Sequence, residues 1–307
     1  MIVVTGATGN VGRALVRMLA EGRLTEAAHA EAGHADGGHA EGGHTEARVP
    51  VTAEARVRVT AVARRITDAD VPPGVRVVAA DLAEPAGLRD AFDGAEALFL
   101  LVAGEDPQGV LEVARAAGIR RVVLLSSQGA ATRPEAYGHP RQFEAAVRES
   151  GLDWTVLRSG GMAGNALAWA ESIRTRREAA APFGDVGLPF VDPEDVAAVA
   201  AAVLRDPDAH RGATYTLTGP APTTPRERAA AIAAALGEPV RFTEQTPEEA
   251  HALMARFMPL PVVEGTLAIL GAPTDDERRV SPDAARVLGR APGTFAAWAE
   301  RNVAAFR

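Results

Sequence analysis

The sequence predicts an α/β fold: a Rossmann-type, doubly wound parallel sheet with a smaller, mostly helical C-terminal substrate subdomain. Three observations carry this expectation. Short apolar runs alternate with amphipathic helical patterns through the first half of the 307 residues. The first run, Ile2-Val3-Val4, leads straight into Thr5-Gly6-Ala7-Thr8-Gly9-Asn10-Val11-Gly12. Beyond Ser159 the alternation gives way to mainly helical segments. The expected division is residues 1–158 for a dinucleotide-binding domain and 159–307 for a substrate subdomain that shares elements with the sheet.

The elements follow in order. Ile2–Thr5 reads as a buried strand, and Ala14, Leu15, Met18 and Leu19 recur at helical spacing after it. Further strands are expected at Val57–Ala63, Val75–Ala80, Ala97–Val102, Val122–Ser126 and Trp154–Leu157, with helices such as Gly109–Ala117 and Arg141–Glu149 between them. The predicted strand order is 3-2-1-4-5-6, with a ligand crevice at the carboxyl ends near strands 1 and 4. In the second half, Asp195–Leu204, Thr224–Leu236, Pro247–Phe257 and Val262–Leu270 read as helices and Thr214–Leu217 as a strand. Asp192-Pro193-Glu194-Asp195 could pass for a paired-carboxylate site. It more simply starts a helix, where acidic groups suit the dipole.

One segment breaks the rhythm. From about residue 23 to 56, His29, His34, His39 and His44 recur every five residues in a Gly-, Ala- and Glu-rich context. A five-residue step rotates about 140° on a helix and alternates faces on a strand, so neither geometry gathers the rings on a metal. The reading is a low-complexity surface insertion before strand 2, with no metal site.

The glycine loop carries the chemistry. Gly6 permits a tight turn, Gly9 lets backbone approach a pyrophosphate, and Gly12 lets the helix pack closely. With Thr8, Asn10 and Val11 they form a cradle whose free amides and dipole favour phosphate. Strand 2 ends in Arg64-Arg65 instead of an acidic residue, which suits a 2′-phosphate and favours NADPH, with NADH possible. Asp81 and Leu82 close strand 3 beside the adenine position, or serve as a helix cap. Val102 and Ala103 close strand 4, and Ser126 and Ser127 close strand 5, at the cofactor side of the crevice.

Bulk composition narrows the class. An apolar fraction of 47% is that of a folded globular protein, and a net charge of −8 argues against a nucleic-acid surface. No cysteine is present, which removes thiol nucleophiles, disulfides and Cys-ligated metals. The longest apolar stretch is too short for a membrane span. The expectation is a cytoplasmic protein with no membrane or nucleic-acid partner.

Several motifs taken in order resemble the NmrA-like family of atypical short-chain dehydrogenases. They are Thr5 to Gly12, Ala80-Asp81-Leu82, Val123-Leu124-Leu125-Ser126-Ser127, Ser150 to Arg158, Asn165, Phe190 to Val196 and Tyr215 to Pro220. The resemblance covers the chain apart from the His-rich insertion. It implies an NAD(P)-binding fold with a pocket between the nucleotide domain and the C-terminal subdomain. Relatives include NADPH-dependent quinone reductases, redox-sensing regulators without turnover, and enzymes of aromatic polyketide metabolism.

Three departures from the family pattern bear on catalysis. Arg158-Ser159 stands where relatives often have Arg-Pro. Pro140 stands where they carry His or Lys, four residues before Glu144. The superfamily's Tyr-x-x-x-Lys survives only as Tyr137-Gly-His-Pro-Arg141, with a proline expected to break the helix. Tyr137, His139 and Arg141 are therefore the catalytic candidates, and a loop Tyr on the crevice wall is the plain alternative. A damaged Tyr–Lys pair favours an acceptor whose reduced form is delocalised, such as a quinone, over a simple ketone that needs a positioned acid. Gln128, Met162, Asn165, Trp169 and Phe257 are the substrate-side candidates, with Asn165 expected first as a structural hydrogen-bonder.

The reading is an NADPH-dependent reductase of a quinone or aromatic carbonyl compound, with a small aromatic substrate. By family analogy the acceptor extends to an aromatic polyketide whose hydroquinone then reacts with oxygen, giving net hydroxylation. Two alternatives stand beside it: a non-catalytic NADP(H) sensor that binds a partner protein, and an NAD(P)-dependent lyase, isomerase or epimerase.

Overall fold

The computed structural model describes residues 1–22 and 57–307. The predicted His-rich insertion lies outside them. Seven strands form one parallel sheet: β1 (Ile2–Thr5), β2 (Val59–Ala63), β3 (Arg76–Ala79), β4 (Ala97–Leu101), β5 (Arg121–Ser127), β6 (Asp153–Ser159) and, later in the chain, Thr214–Leu217. Two further strands, β7 (Glu178–Ala181) and β9 (Arg241–Glu244), flank Thr214–Leu217 in sequence, which makes that segment β8. The sheet order is 3-2-1-4-5-6-8, which is the predicted order with one strand added at the far edge. β7 and β9 pair with each other in a small parallel sheet that the helical reading of the second half missed. They are short and half-exposed, so neither carries the apolar run that marks a sheet strand.

Both faces of the large sheet are covered, as the unbroken burial of Ile2, Val3, Val4 and Thr5 requires. Alternate residues go to opposite faces. Val4, Phe99, Val123 and Leu157 meet Leu15 and Leu19 of helix α1 (Asn10–Glu21) and Val196, Val199 and Ala200 of the helix Pro193–Arg205. Val3, Leu98, Leu124 and Val156 meet Val110 and Leu111 of the helix Pro107–Ala116 and Phe143 and Val147 of the helix Gly138–Glu149. Each such Leu, Val or Phe is worth about 1.5–3 kcal/mol of burial. A third cluster, with Ile173, Ile232, Phe295, Trp298 and Phe306, holds the C-terminal part together.

Helix starts follow their caps. Asp106 accepts from the Gly109 amide at 2.8 Å, and Asp192 accepts from Glu194 at 2.9 Å. Thr224 and Glu227 form a capping box ahead of the helix Pro225–Leu236. Asp192 is thus the N-cap that its sequence context predicts. Three expectations need correction. Pro140 does not break its helix, because Gly138–Glu149 begins early enough to place Pro140 in the first turn, where its missing N–H costs nothing. Strand 3 ends at Ala79, so Asp81 and Leu82 lie just beyond it. The helix from Pro247 stops at Met254, leaving Phe257 in a turn. No described helix is long and apolar enough to cross a membrane.

Candidate active site at the carboxyl ends of the sheet

The crevice forms where the strand order reverses between β1 and β4. Thr5, fully buried, fastens this point: its Oγ1 donates to the Phe99 carbonyl at 2.9 Å and accepts from the Leu101 amide at 3.0 Å. Gly6 follows with φ +65°, a left-handed conformation that glycine alone adopts at no cost. A Cβ on Gly12 would overlap the Gly6 carbonyl, so only glycine lets α1 begin against the loop. No side chain caps the N-terminus of α1 and its first turn carries no acidic residue. Its leading amides are left for an anion, which fits the pyrophosphate of a dinucleotide. Thr8 and Gly9 complete the rim. Val11 instead packs into the core, so its backbone alone is on offer. The Asn10 amide turns toward Gly164, 2.7 Å from where a Cβ there would sit.

At the end of β2, Arg64 and Arg65 are both exposed, and neither has an ion pair or hydrogen bond among the described residues. Of the two acids that follow, Asp70 accepts from the Thr67 amide and hydroxyl, both at 2.9 Å, and Asp68 makes no ion pair with either arginine among the described residues. Asp81 caps the local turn by accepting from the Ala83 amide at 3.0 Å, and Leu82 is buried. Gly104, two residues past Val102 and one past Ala103, approaches the Leu82 carbonyl so closely that a Cβ would stand 2.8 Å from it. The loops after β3 and β4 therefore touch, and Leu82, Val102 and Ala103 lie together on this wall of the crevice, where the sequence reading expects the cofactor.

The start of the helix Gly138–Glu149 adjoins this wall. His139 Nε2 lies 2.7 Å from the Gly104 carbonyl, and its ring stands edge-on to Phe143 at 5.1 Å. The Tyr137 ring is wedged between Gly129 and Gly265, and its hydroxyl lies 3.4 Å from Thr266 Oγ1. Arg141 is exposed, with its backbone amide on the Tyr137 carbonyl at 3.2 Å. The three candidates share one helix start, yet Tyr137 and Arg141 do not make the side-chain pair of an intact Tyr-x-x-x-Lys site.

Beneath this wall lies a network that sequence reading did not assemble. Glu144 is 2% exposed and takes a two-pronged pair from Arg158, Nε to Oε1 at 2.9 Å and Nη2 to Oε2 at 2.6 Å. Ser126 Oγ donates to it at 2.8 Å and Arg148 Nη2 at 3.0 Å. Burial alone would raise the carboxyl, but Arg158, Ser126 and Arg148 outweigh it and hold it below the ordinary range. The signal was present: Glu144 falls on the apolar stripe of Phe143, Ala146 and Val147. Ser126 therefore spends its hydroxyl on Glu144. Ser127 Oγ accepts from the Gly129 amide at 3.1 Å.

The substrate-side candidates divide. Gln128 donates through Nε2 to the Asp276 carbonyl at 3.0 Å, tying the end of β5 to the C-terminal segment. Arg133 reinforces this tie with a paired contact to buried Glu277, at 2.8 and 3.0 Å. Met162 is half-buried and bridges Val191 just past β6. Asn165 is exposed; its backbone N–H donates to the Met162 carbonyl at 3.0 Å, and its side-chain amide makes no hydrogen bond among the described residues. Trp169 donates to the Ala180 carbonyl at 2.8 Å and belongs to the C-terminal cluster. Phe257, 81% exposed, projects into solvent instead of packing over the crevice.

Comparison with known proteins agrees with this geometry. The model of an NAD(P)H-binding family matches residues 40–207. A (4-alkanoyl-5-oxo-2,5-dihydrofuran-3-yl)methyl phosphate reductase of Streptomyces griseus is 35% identical, the match covering 100% of this chain and 99% of that one. An NAD(P)H azoreductase of Xenophilus azovorans is 31% identical over the same shares. The fold matches an Escherichia coli NADPH-dependent quinone oxidoreductase in complex with NADPH, with TM-score 0.69, 24% identity and coverage of 98% and 99%. It also matches a Citrobacter triphenylmethane reductase, with TM-score 0.70, 21% identity and coverage of 99% and 100%. The chain belongs to the NAD(P)H-binding family, among the NmrA-like atypical short-chain dehydrogenases, and is an NAD(P)H-dependent oxidoreductase.

Proposed function

We propose that the protein is an NADPH-dependent reductase of a quinone or a related aromatic carbonyl compound. The observation that carries this reading is the paired exposure of Arg64 and Arg65 beside the glycine cradle, set against a catalytic wall without a Tyr–Lys pair. The first favours the 2′-phosphate of NADPH over the ribose hydroxyls of NADH. The second favours an acceptor that needs little help with its proton.

When bound, the nicotinamide supplies a hydride for a flat acceptor held against it. The chain's own residues do the rest. Gly6, Gly9 and Gly12 admit the pyrophosphate, and the first turn of α1 binds it through backbone amides. Arg64 and Arg65 would hold the 2′-phosphate. Leu82, Val102 and Ala103 flank the adenosine. His139, held by the Gly104 carbonyl, fixes the helix that walls the acceptor side, and Met162 and Asn165 face the acceptor from beyond β6. Tyr137 closes the wall and is not the obligatory acid. The relatives support reduction of conjugated acceptors in general: one reduces an azo compound by name and one an oxo-dihydrofuran phosphate. Aromatic polyketides remain within this class.

The test is anaerobic NADPH oxidation with a panel of naphthoquinones and anthraquinones, with NADH alongside. Saturable, protein-dependent oxidation that prefers NADPH supports the reading. Tight NADPH binding without oxidation across the panel would replace it with the sensor and its protein partner.

A further inference from the structure

One buried charged side chain outside the crevice has no ion pair among the described residues. Arg228, on the helix Pro225–Leu236, is only 6% exposed. Its guanidinium lies over the Phe190 ring, 3.7 Å from the centroid, with the Trp169 ring at 5.9 Å. Its one hydrogen bond, from Nε to the Thr224 carbonyl, is long at 3.4 Å, and its terminal nitrogens have none among the described residues. The carboxylates around the start of this helix are taken. Asp185 and Glu244 pair with Arg226 at 3.0 and 3.6 Å, and Glu227 closes the capping box with the Thr224 amide at 2.8 Å. Burial with no compensating acid pushes the guanidinium down to about 10.

A buried hydroxyl lies one residue before Thr224, whose carbonyl takes the Arg228 Nε bond. Thr223 Oγ1 is buried without a hydrogen-bond partner, alone in this among the described residues. Thr223 is bonded through its backbone to Leu188, two residues from Phe190, with N–H to carbonyl distances of 2.9 and 3.3 Å. A buried hydroxyl without a partner is costly, and the unbonded terminal nitrogens of a largely buried guanidinium are open to an acceptor. The location fits a ligand. The Phe190 ring rests on Gly161, 2.8 Å from where a Cβ there would sit, and Gly161 lies directly past the carboxyl end of β6. One aromatic ring therefore separates Arg228 from the loop that borders the substrate side.

We infer that Arg228, with the Thr223 hydroxyl, is the anchor for an oxyanion, a phosphate monoester or carboxylate, carried by the substrate away from its reduced centre. The Phe190 and Trp169 rings hold the guanidinium in place, and its free nitrogens offer the planar fork that matches an oxyanion. The assignment rests on the reductase reading for its place in turnover, but the binding step does not require turnover. It makes the preferred substrate an anionic conjugated acceptor.

The test uses full-length protein saturated with NADP⁺, so that the nucleotide's own phosphate sites are filled. Phenyl phosphate and benzoate are titrated calorimetrically, with acetophenone as the neutral counterpart. The wild type binds at least one of the two anions saturably. Arg228→Met, which keeps the stem, weakens that binding by about tenfold or more, as loss of a charge-assisted contact does, while acetophenone affinity stays within about twofold. Arg228→Lys, which keeps the charge without the fork, falls between them and decides the matter should the Met variant fail to fold. The anchor is overturned by a wild type that binds neither anion, or by variants that bind them as the wild type does. Anion binding without reductase turnover would leave the anchor standing and remove the reductase. Quinone turnover without anion binding would do the reverse.

Discussion

Replacing Glu144 with Gln isolates the buried network under the catalytic wall. The carboxylate accepts four hydrogen bonds, two from Arg158 and one each from Ser126 and Arg148. Removing one member of a fully buried pair costs about 3–5 kcal/mol, because the other charge is left alone. Here the Arg158 side chain is 23% exposed and that of Arg148 36%, so water screens part of the loss. The expected destabilisation is therefore about 2–3 kcal/mol. For a chain of this size that is a fall in Tm of about 3–5 °C. The assay is thermal denaturation of wild type and Glu144→Gln across pH.

The pH dependence gives that experiment a second readout. The folded carboxyl titrates below its ordinary value of 4.5, so its contribution is full above that value and is lost as pH falls through the folded one. The gap between the two proteins is wide at neutral pH and narrows in acid. A variant as stable as the wild type at neutral pH, or a gap that is constant with pH, would refute the reasoning.

Three further outcomes follow from the site. Arg64→Ala weakens NADPH binding by about 10–150-fold, the worth of a charged hydrogen bond of about 1.5–3 kcal/mol, and leaves NADH within about twofold; equal losses by fluorescence titration would reject the phosphate contact. Gly12→Ala forces a Cβ against the Gly6 carbonyl and lowers affinity for both nucleotides by more than about tenfold, a loss of over about 1.4 kcal/mol; unaltered titrations would show that the cradle is not the binding site. Tyr137→Phe removes only a 3.4 Å contact to Thr266 and lowers quinone kcat by less than about threefold, whereas loss of a general acid costs about a hundredfold or more. Steady-state rates on a naphthoquinone separate the two.

The central strands of the sheet, such as β1 and β4, were legible because they are buried on both faces and read as continuous apolar runs; the edge strands β3 and β8 are only partly buried. Ile2–Thr5 and Thr214–Leu217 fall at the expected residues. The glycine loop was legible for a related reason, since backbone approach leaves a mark in residue type. What escaped depends on side chains that meet from distant segments. Glu144, Arg158 and Ser126 come from a helix and two strands, and Arg228 meets the Phe190 ring from a distant segment. Phe257 and Trp169 read alike in sequence as apolar lining. Tertiary packing sends one into solvent and the other into the C-terminal cluster. Pro140 misled because its effect depends on where the helix begins, and the cap here is Tyr137, a residue type that seldom marks a start.

The most direct test of the central claim is anaerobic oxidation of NADPH deuterated at nicotinamide C4, with a naphthoquinone as acceptor and unlabelled NADPH in parallel. Saturable turnover that slows with the transferred deuterium is the predicted result, because the reacting hydride comes from that carbon. Tight binding of both nucleotides with no oxidation above the protein-free rate would contradict it.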